Sequence, residues 1–118
     1  MVEVAVKHGA VARLVDDLKR YGGLRGRDIA NMFGVSPPTV TRWGKGEVGP
    51  TIDSQTILAN LRWVAERLSD FYEPDEARLW LQSPHPQLDG EKPYEAIKRG
   101  RTDLVLEIIE RLDSSAYL

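Results

Sequence analysis

Residue types that commonly carry catalysis are sparse in this chain of 118 residues. It contains no cysteine, and its two histidines, His8 and His85, lie far apart in the sequence. The sequence therefore predicts no thiolate chemistry, no metal centre and no catalytic triad. An acidic cluster falls at a predicted helix junction, where carboxylates stabilise helix starts, and it comprises Asp70, Glu73, Asp75 and Glu76. We expect a binding protein that is not an enzyme and needs no cofactor.

The segment of residues 24–46 has the pattern of a helix-turn-helix. A small residue, Ala30, stands where two helices would cross closely, and Gly34 stands where the turn would need a left-handed backbone. Val35 and Val40 follow at positions suited to fill the angle between the helices. A pair of helices used only for packing is the alternative interpretation.

In a helix-turn-helix, the N-terminal half of the second helix enters the major groove of DNA. Arg42 is the side chain best suited to a bidentate bond with guanine, and we expect Thr39 and Thr41 to contact bases or phosphates. Basic side chains, together with the amides at the start of the second helix, would bind phosphate. The predicted DNA-binding residues are Arg25, Arg27, Ser36, Pro38, Thr39, Thr41, Arg42 and Lys45.

The charge distribution agrees with this interpretation. The chain has a formal net charge of −2, yet from Lys19 to Lys45 it carries six basic residues against one acidic residue. The remainder carries ten basic and 17 acidic residues. A cationic segment in an acidic chain indicates that one part meets a polyanion, here operator DNA, while another part meets a different partner. A solvated surface is the alternative.

The elements that would position these residues are helical. Apolar residues recur at three- and four-residue spacing almost throughout, which predicts an all-α chain. The segment Val2–Val6 has an extended pattern and is equally typical of a frayed terminus. The predicted helices cover about residues 8–21, 26–33, 37–43, 54–72, 74–82, 94–99 and 102–112, with Ser36 and Thr102 as caps and a tail over residues 114–118.

A second motif lies in the C-terminal half, where large apolar residues alternate with prolines. It reads Ala77-Arg-Leu-Trp-Leu-Gln-Ser-Pro-His-Pro-Gln-Leu-Asp-Gly-Glu-Lys-Pro, and Ile97 and the segment 100–112 follow it. The helix-turn-helix part reads Val35-Ser-Pro-Pro-Thr-Val-Thr-Arg-Trp-Gly-Lys-Gly-Glu. In this order the two motifs resemble antitoxins of the Xre/MbcA/ParS type, over roughly residues 10–118. We therefore expect an Xre-like helix-turn-helix domain over residues 1–50, and a dimerisation helix with a small helical toxin-binding domain over residues 51–118.

The resemblance also implies a function. Antitoxins of this type belong to type II toxin–antitoxin systems whose toxin carries a RES domain and consumes NAD. They block the toxin's active site, and the complex represses its own operon. A short apolar tail would reach into the toxin, where its terminal carboxylate would pair with arginines. The toxin-binding residues that the resemblance implies are Trp80, Pro84, Pro86, Leu88, Gly90, Pro93, Tyr94, Tyr117 and Leu118. Core packing of Trp80 and a frayed terminus for the tail are the alternatives.

A monomer with a single recognition helix would bind DNA weakly, so we expect a homodimer that reads two half-sites within a larger complex. The apolar stripe of the predicted helix 54–72 would supply the dimer contact unless it is core. No apolar run approaches the roughly 18–20 residues of a membrane helix, so we expect no membrane partner and a cytoplasmic protein. The rival function is a stand-alone repressor whose C-terminal half dimerises or senses a ligand. An adaptor that no longer reads DNA is a further alternative.

Overall fold

The computed structural model describes the backbone of residues 2–115 and the side chains of residues 9–112. Over this range the chain is helical and contains no strand, as the apolar spacing predicts. A short 3-10 turn lies between the fifth and sixth α-helices. The elements are α1 (Val2–Gly22), α2 (Gly26–Phe33), α3 (Pro37–Lys45), α4 (Ile52–Leu68), α5 (Pro74–Gln82), the 3-10 turn (Pro86–Leu88), α6 (Pro93–Lys98) and α7 (Thr102–Ser115).

Helices α1 and α4 pack against each other and support the remaining elements. α1 also contacts α3 and α5, whereas α4 also contacts α6 and α7. The buried apolar side chains form one continuous cluster. Its largest fully buried members include Leu18, Leu58, Leu61, Leu68, Leu81, Ile97 and Ile109. The helix-turn-helix segment and the C-terminal helices are therefore attached to the same core.

An ion pair joins α1 and α4 at the edge of this core. Arg62 donates from Nε to Asp17 Oδ2 at 2.8 Å and from Nη1 to Glu66 Oε2 at 2.8 Å. The hydrogen bond to Asp17 raises the pKa of Arg62 and outweighs the opposing effect of desolvation. Because these side chains are partly exposed, we expect the pair to orient the two helices rather than to add much to the free energy of unfolding.

The limits of α4 differ from the predicted ones for local reasons. The helix begins at Ile52 because Thr51 caps it, accepting a hydrogen bond from the Ser54 amide at 3.2 Å. It ends at Leu68, four residues earlier than predicted. After Leu68 the amides bond three residues back, Asp70 to the Arg67 carbonyl and Phe71 to the Leu68 carbonyl, so the chain forms tight turns before Pro74 opens α5.

The two ends of the chain also differ from the prediction. The segment Val2–Val6 continues α1 instead of forming an extended start, since it contains no glycine or proline to interrupt the helix. α7 runs to Ser115, so the first residues of the predicted tail are helical. Thr102 is not the cap of α7. Its buried hydroxyl has no hydrogen-bond partner among the described residues, and the Arg101 carbonyl accepts the first bond of the helix.

Candidate functional site

The turn between α2 and α3 has the predicted backbone. Gly34 adopts φ 66° and ψ 33°, and Val35 donates its amide to the Ala30 carbonyl at 3.0 Å. Ala30 is 1% exposed, and Val40 is buried as well. Because other residues are strained in this left-handed conformation, Gly34 sets the angle at which α3 leaves α2.

The carboxylate of Asp28 stabilises the start of α2. The sequence-based prediction includes only its contribution to the net charge of the segment. Asp28 Oδ2 accepts hydrogen bonds from the Arg25 amide at 2.8 Å and from Arg25 Nε at 3.2 Å. An acidic residue three positions after the N-cap is the sequence signal for this arrangement. The Arg25 side chain therefore forms an ion pair with Asp28. About half of this side chain remains exposed, so it can also contact a phosphate.

One side of α3 packs on the core and the other is exposed. Val40 and Trp43 are buried, and the Trp43 ring meets the Phe33 ring edge-on at 5.9 Å. Five exposed side chains recur at helical spacing on the other side. We call them the α3 face, which consists of Pro37, Pro38, Thr41, Arg42 and Lys45. All but the first are predicted DNA-binding residues, and the helix gathers them on one surface.

The other predicted DNA-binding residues lie near the helix starts. Arg27 is exposed on the first turn of α2. Ser36 caps α3 by accepting a hydrogen bond from the Thr39 amide at 3.3 Å, and the two hydroxyl oxygens lie 2.9 Å apart. The expected phosphate contact through amides at the start of α3 is wrong. Pro37 and Pro38 have no N–H, and the Thr39 amide is already bonded to Ser36.

His85 organises the loop between α5 and α6, a role that the sequence-based prediction did not include. Its Nδ1 accepts a hydrogen bond from the Gln87 amide at 3.1 Å, and its ring centroid lies 5.7 Å from that of Trp80. Its amide donates to the Glu91 carbonyl at 3.1 Å, and its carbonyl accepts from the Gly90 amide at 3.0 Å. The Ser-Pro-His-Pro run predicts a break in the helix but contains no signal for these bonds.

Two arginines from the C-terminal part of the chain bond to this loop from outside it. Arg99, just after α6, pairs with Glu91 at 2.7 Å. Arg111 of α7 donates to Gln87 Oε1 at 2.6 Å. We call residues 74–115 the C-terminal module, since these bonds and the shared core join its elements.

The predicted toxin-binding residues differ in burial. Leu88 and Pro93 are buried, Trp80 and Tyr94 are half-buried, Pro84, Pro86 and Gly90 are exposed, and Tyr117 and Leu118 lie outside the described residues. Leu79, one of the bulky side chains of the helix predicted over residues 74–82, is 61% exposed. Ala77 and Leu81 face the core, so the residue midway between them points outward. The exposed part of the module therefore combines Leu79 with the loop prolines.

The C-terminal module meets the N-terminal half of the chain at Gly23, the residue that directly precedes the helix-turn-helix segment. This residue has φ 62°, and a Cβ placed on it would overlap the carbonyl group of Pro74. Arg78 donates from Nη1 to the Gly23 carbonyl at 3.3 Å. A second tie is the bond from Lys98 Nζ to the Met32 carbonyl at 2.6 Å. Only glycine fits the first junction without displacing the backbone.

Within the side chains that the structure describes, no group of three or more histidine, aspartate or glutamate residues is placed to hold a metal ion. None of the described helices combines the length and apolar character that crossing a bilayer requires. Tyr21, Trp63 and Arg67 line a groove of about 530 Å³ that is open to solvent.

Comparison with known proteins identifies the family to which the chain is related. The model of the Xre/MbcA/ParS antitoxin C-terminal toxin-binding domain matches residues 62–114. The chain is 30% identical to a probable mycobacterial cidal antitoxin of Mycobacterium tuberculosis, over 91% of this chain and 90% of that protein. It is 28% identical to the mycobacterial cidal antitoxin MbcA of Mycobacterium bovis, over 93% of this chain and 90% of that protein.

A solved structure agrees with these relatives. The crystal structure of the M. tuberculosis MbcT-MbcA toxin-antitoxin complex contains a chain that superposes with a TM-score of 0.75 at 28% identity. The match covers 91% of this chain and 96% of that chain. The predicted all-α fold and the resemblance drawn from the two sequence motifs are confirmed. The chain belongs to the Xre/MbcA/ParS family of antitoxins.

Proposed function

We propose that this antitoxin neutralises a RES-domain toxin that consumes NAD, and that it binds the operator of its own operon. The observation that carries the proposal is the match of the family's toxin-binding domain to residues 62–114. That match includes only residue 114 of the predicted tail, and the helix-turn-helix segment lies outside it. The two activities then use different surfaces, the C-terminal module for the toxin and the α3 face for DNA.

Neutralisation is steric and requires no chemistry from this chain. The solved neighbour is a complex of a toxin with its antitoxin, which supports direct binding. The exposed surface of the module includes Leu79, Pro84 and Pro86. Proline has no side-chain entropy to lose on binding, and a rigid, partly apolar surface suits a protein partner.

The tail completes the block of the toxin's active site. Tyr117 and Leu118 enter the cleft and fill the space that NAD would otherwise occupy. α7 packs on the core through Val105 and Ile109 and is helical through Ser115, two residues before Tyr117.

Operator binding uses α3 as the recognition helix. Arg42 bonds to a guanine, while Lys45 and Arg27 bind phosphates. A homodimer supplies two such helices for two half-sites. The apolar stripe predicted on α4 is buried in the core, so it is not free for a dimer contact. On α4 the contact would instead use the exposed side chains of Ile52 and Trp63, which are 78% and 52% exposed and are of the apolar kind found at the centre of an interface.

The test mixes the chain with the RES-domain protein encoded beside its gene, at equimolar concentration, and follows the loss of NAD. Size exclusion on the same samples reports the complex. We expect suppressed NAD loss and co-elution. Full NAD turnover with separate elution would contradict the toxin role and leave the stand-alone repressor.

Binding to DNA from upstream of the gene, measured at several salt concentrations, tests the operator role. The affinity should fall steeply with salt, because each neutralised phosphate releases counterions. An absence of binding would favour the adaptor interpretation.

A further inference from the structure

The start of α3 differs from the usual start of a DNA-reading helix. Its first two residues, Pro37 and Pro38, carry no amide hydrogen, and the Thr39 amide donates to Ser36 Oγ. A helix N-terminus ordinarily offers free amides to a phosphate. Here the first three helical residues offer none, so this end of α3 is built for another kind of contact.

The exposed groups at this end are largely apolar. Pro37 and Pro38 present hydrocarbon rings to solvent. The Thr41 hydroxyl donates back to the Pro37 carbonyl at 3.2 Å, which leaves the Thr41 methyl group for a contact outside the helix. Arg42 is the exposed neighbour of Thr41. The N-terminal half of the α3 face is therefore two proline rings and a methyl group beside one guanidinium.

Thymine is the base that presents an apolar group, its C5 methyl, in the major groove. We propose that Pro37, Pro38 and Thr41 form a patch that selects thymine methyl groups next to the base that Arg42 reads. The proposal rests on the operator binding proposed above and adds which base the helix prefers.

The spacing along α3 gives the form of the half-site. Pro38 and Arg42 lie one helical turn apart, about 6 Å along the helix axis. This rise corresponds to about two base-pair steps. The chain then prefers half-sites in which a thymine lies within about two base pairs of the guanine bonded to Arg42.

The test starts from a randomised duplex library bound to the full chain, alone and with its toxin. The enriched half-site should contain a guanine with thymine nearby. Each thymine is then replaced by uracil, which differs only in lacking the methyl group, and Kd is measured by fluorescence anisotropy. Uracil beside the guanine should weaken binding about fourfold for each methyl group removed, and uracil in the flanking sequence should change nothing.

Thr41→Ser is the matched variant. It removes the methyl group and keeps the hydroxyl that bonds to the Pro37 carbonyl. We expect it to bind the thymine duplex about fourfold more weakly than the original chain. For this variant, replacing the one thymine that Thr41 contacts by uracil should no longer change the Kd. A purely structural role for Thr41 would not remove this dependence on the thymine methyl group.

The two proposals fail in different ways. Sequence-selective binding that is indifferent to every replacement of thymine by uracil would overturn the thymine patch and leave operator binding intact. Failure to enrich any duplex, with or without the toxin, would overturn operator binding and the patch with it.

Discussion

The helix-turn-helix segment and the C-terminal module are held in shape by different kinds of contact. In the first, the hydrogen bonds at the helix starts and at the turn join residues three to five positions apart, such as Asp28 with Arg25 and Val35 with Ala30. In the second, Arg111 reaches from α7 to a loop 24 positions earlier in the sequence. An exposed substitution on α3 therefore changes what that surface contacts, whereas an exposed substitution in the module also changes its shape.

The two regions nevertheless depend on one core. The buried side chains of both belong to the same cluster, and α1 contacts α3 as well as α5. Changes at the junction should affect both activities, and changes on either surface should affect only one.

The largest effect is expected at the junction itself. Gly23→Ala places a side chain in a left-handed conformation and against the Pro74 carbonyl, so we expect a loss of at least about 3 kcal/mol in the free energy of unfolding. Gly26→Ala is the matched control, because Gly26 has open space around it and opens α2. The control should be neutral or more stable by about 0.5–1 kcal/mol. Urea unfolding measures both, and equal stability of the two variants would contradict this account of the junction.

Removal of the tail should have the next largest effect. Deletion of residues 116–118 removes Tyr117 and Leu118 and keeps α7 through Ser115. Truncation of a buried aromatic anchor in an interface typically costs about 2 kcal/mol or more, so the inhibition constant should rise at least about 30-fold. DNA affinity should not change. An unchanged inhibition constant would show that the module alone blocks the toxin.

Arg42→Ala tests the other surface. Loss of a bidentate contact with guanine costs about 1–3 kcal/mol, so operator affinity should fall about 5- to 150-fold. Lys45→Ala should instead weaken binding to all sequences alike and reduce the salt slope by about one. Toxin inhibition should be normal in both variants. A parallel loss of inhibition would point to misfolding.

The smallest effect is expected where side chains support the loop of the module. Gln87→Ala and Arg111→Ala each remove the same hydrogen bond, worth about 0.5–1.5 kcal/mol, so each should weaken toxin binding by about twofold to tenfold. The double variant should be little worse than either single variant, as expected for partners in one bond. Additive losses, measured by titration calorimetry with the toxin, would mean that the two residues act separately.

The sequence predicts well those features that depend on residues close together in the chain, namely helix starts, caps and turns. The cap at Ser36, the left-handed turn at Gly34 and the start of α5 at Pro74 follow from the residue types at those positions. Asp28 was within reach of the same rules, because its spacing from Arg25 is that of a capping box. The pair of prolines at the start of α3 also shows directly in the sequence that two amides are missing.

What the sequence does not predict depends on packing between distant segments. Nothing in the residues around Gln87 indicates that Arg111 will reach it, and nothing around Met32 indicates Lys98. The exposure of Leu79 likewise depends on which side of α5 meets α1. The division into residues 1–50 and 51–118 stays a prediction, although both parts contribute to one cluster of buried side chains.

The most direct test of the account is a titration of the toxin's NAD turnover with the original chain and with Arg42→Ala. If neutralisation belongs to the C-terminal module, both should suppress turnover to the same end point and at the same molar ratio, while only the original chain binds operator DNA tightly. The account would be contradicted if NAD turnover persisted at a molar excess of the original chain. It would also be contradicted if the Arg42→Ala variant, shown to be folded, failed to suppress turnover while the original chain succeeded.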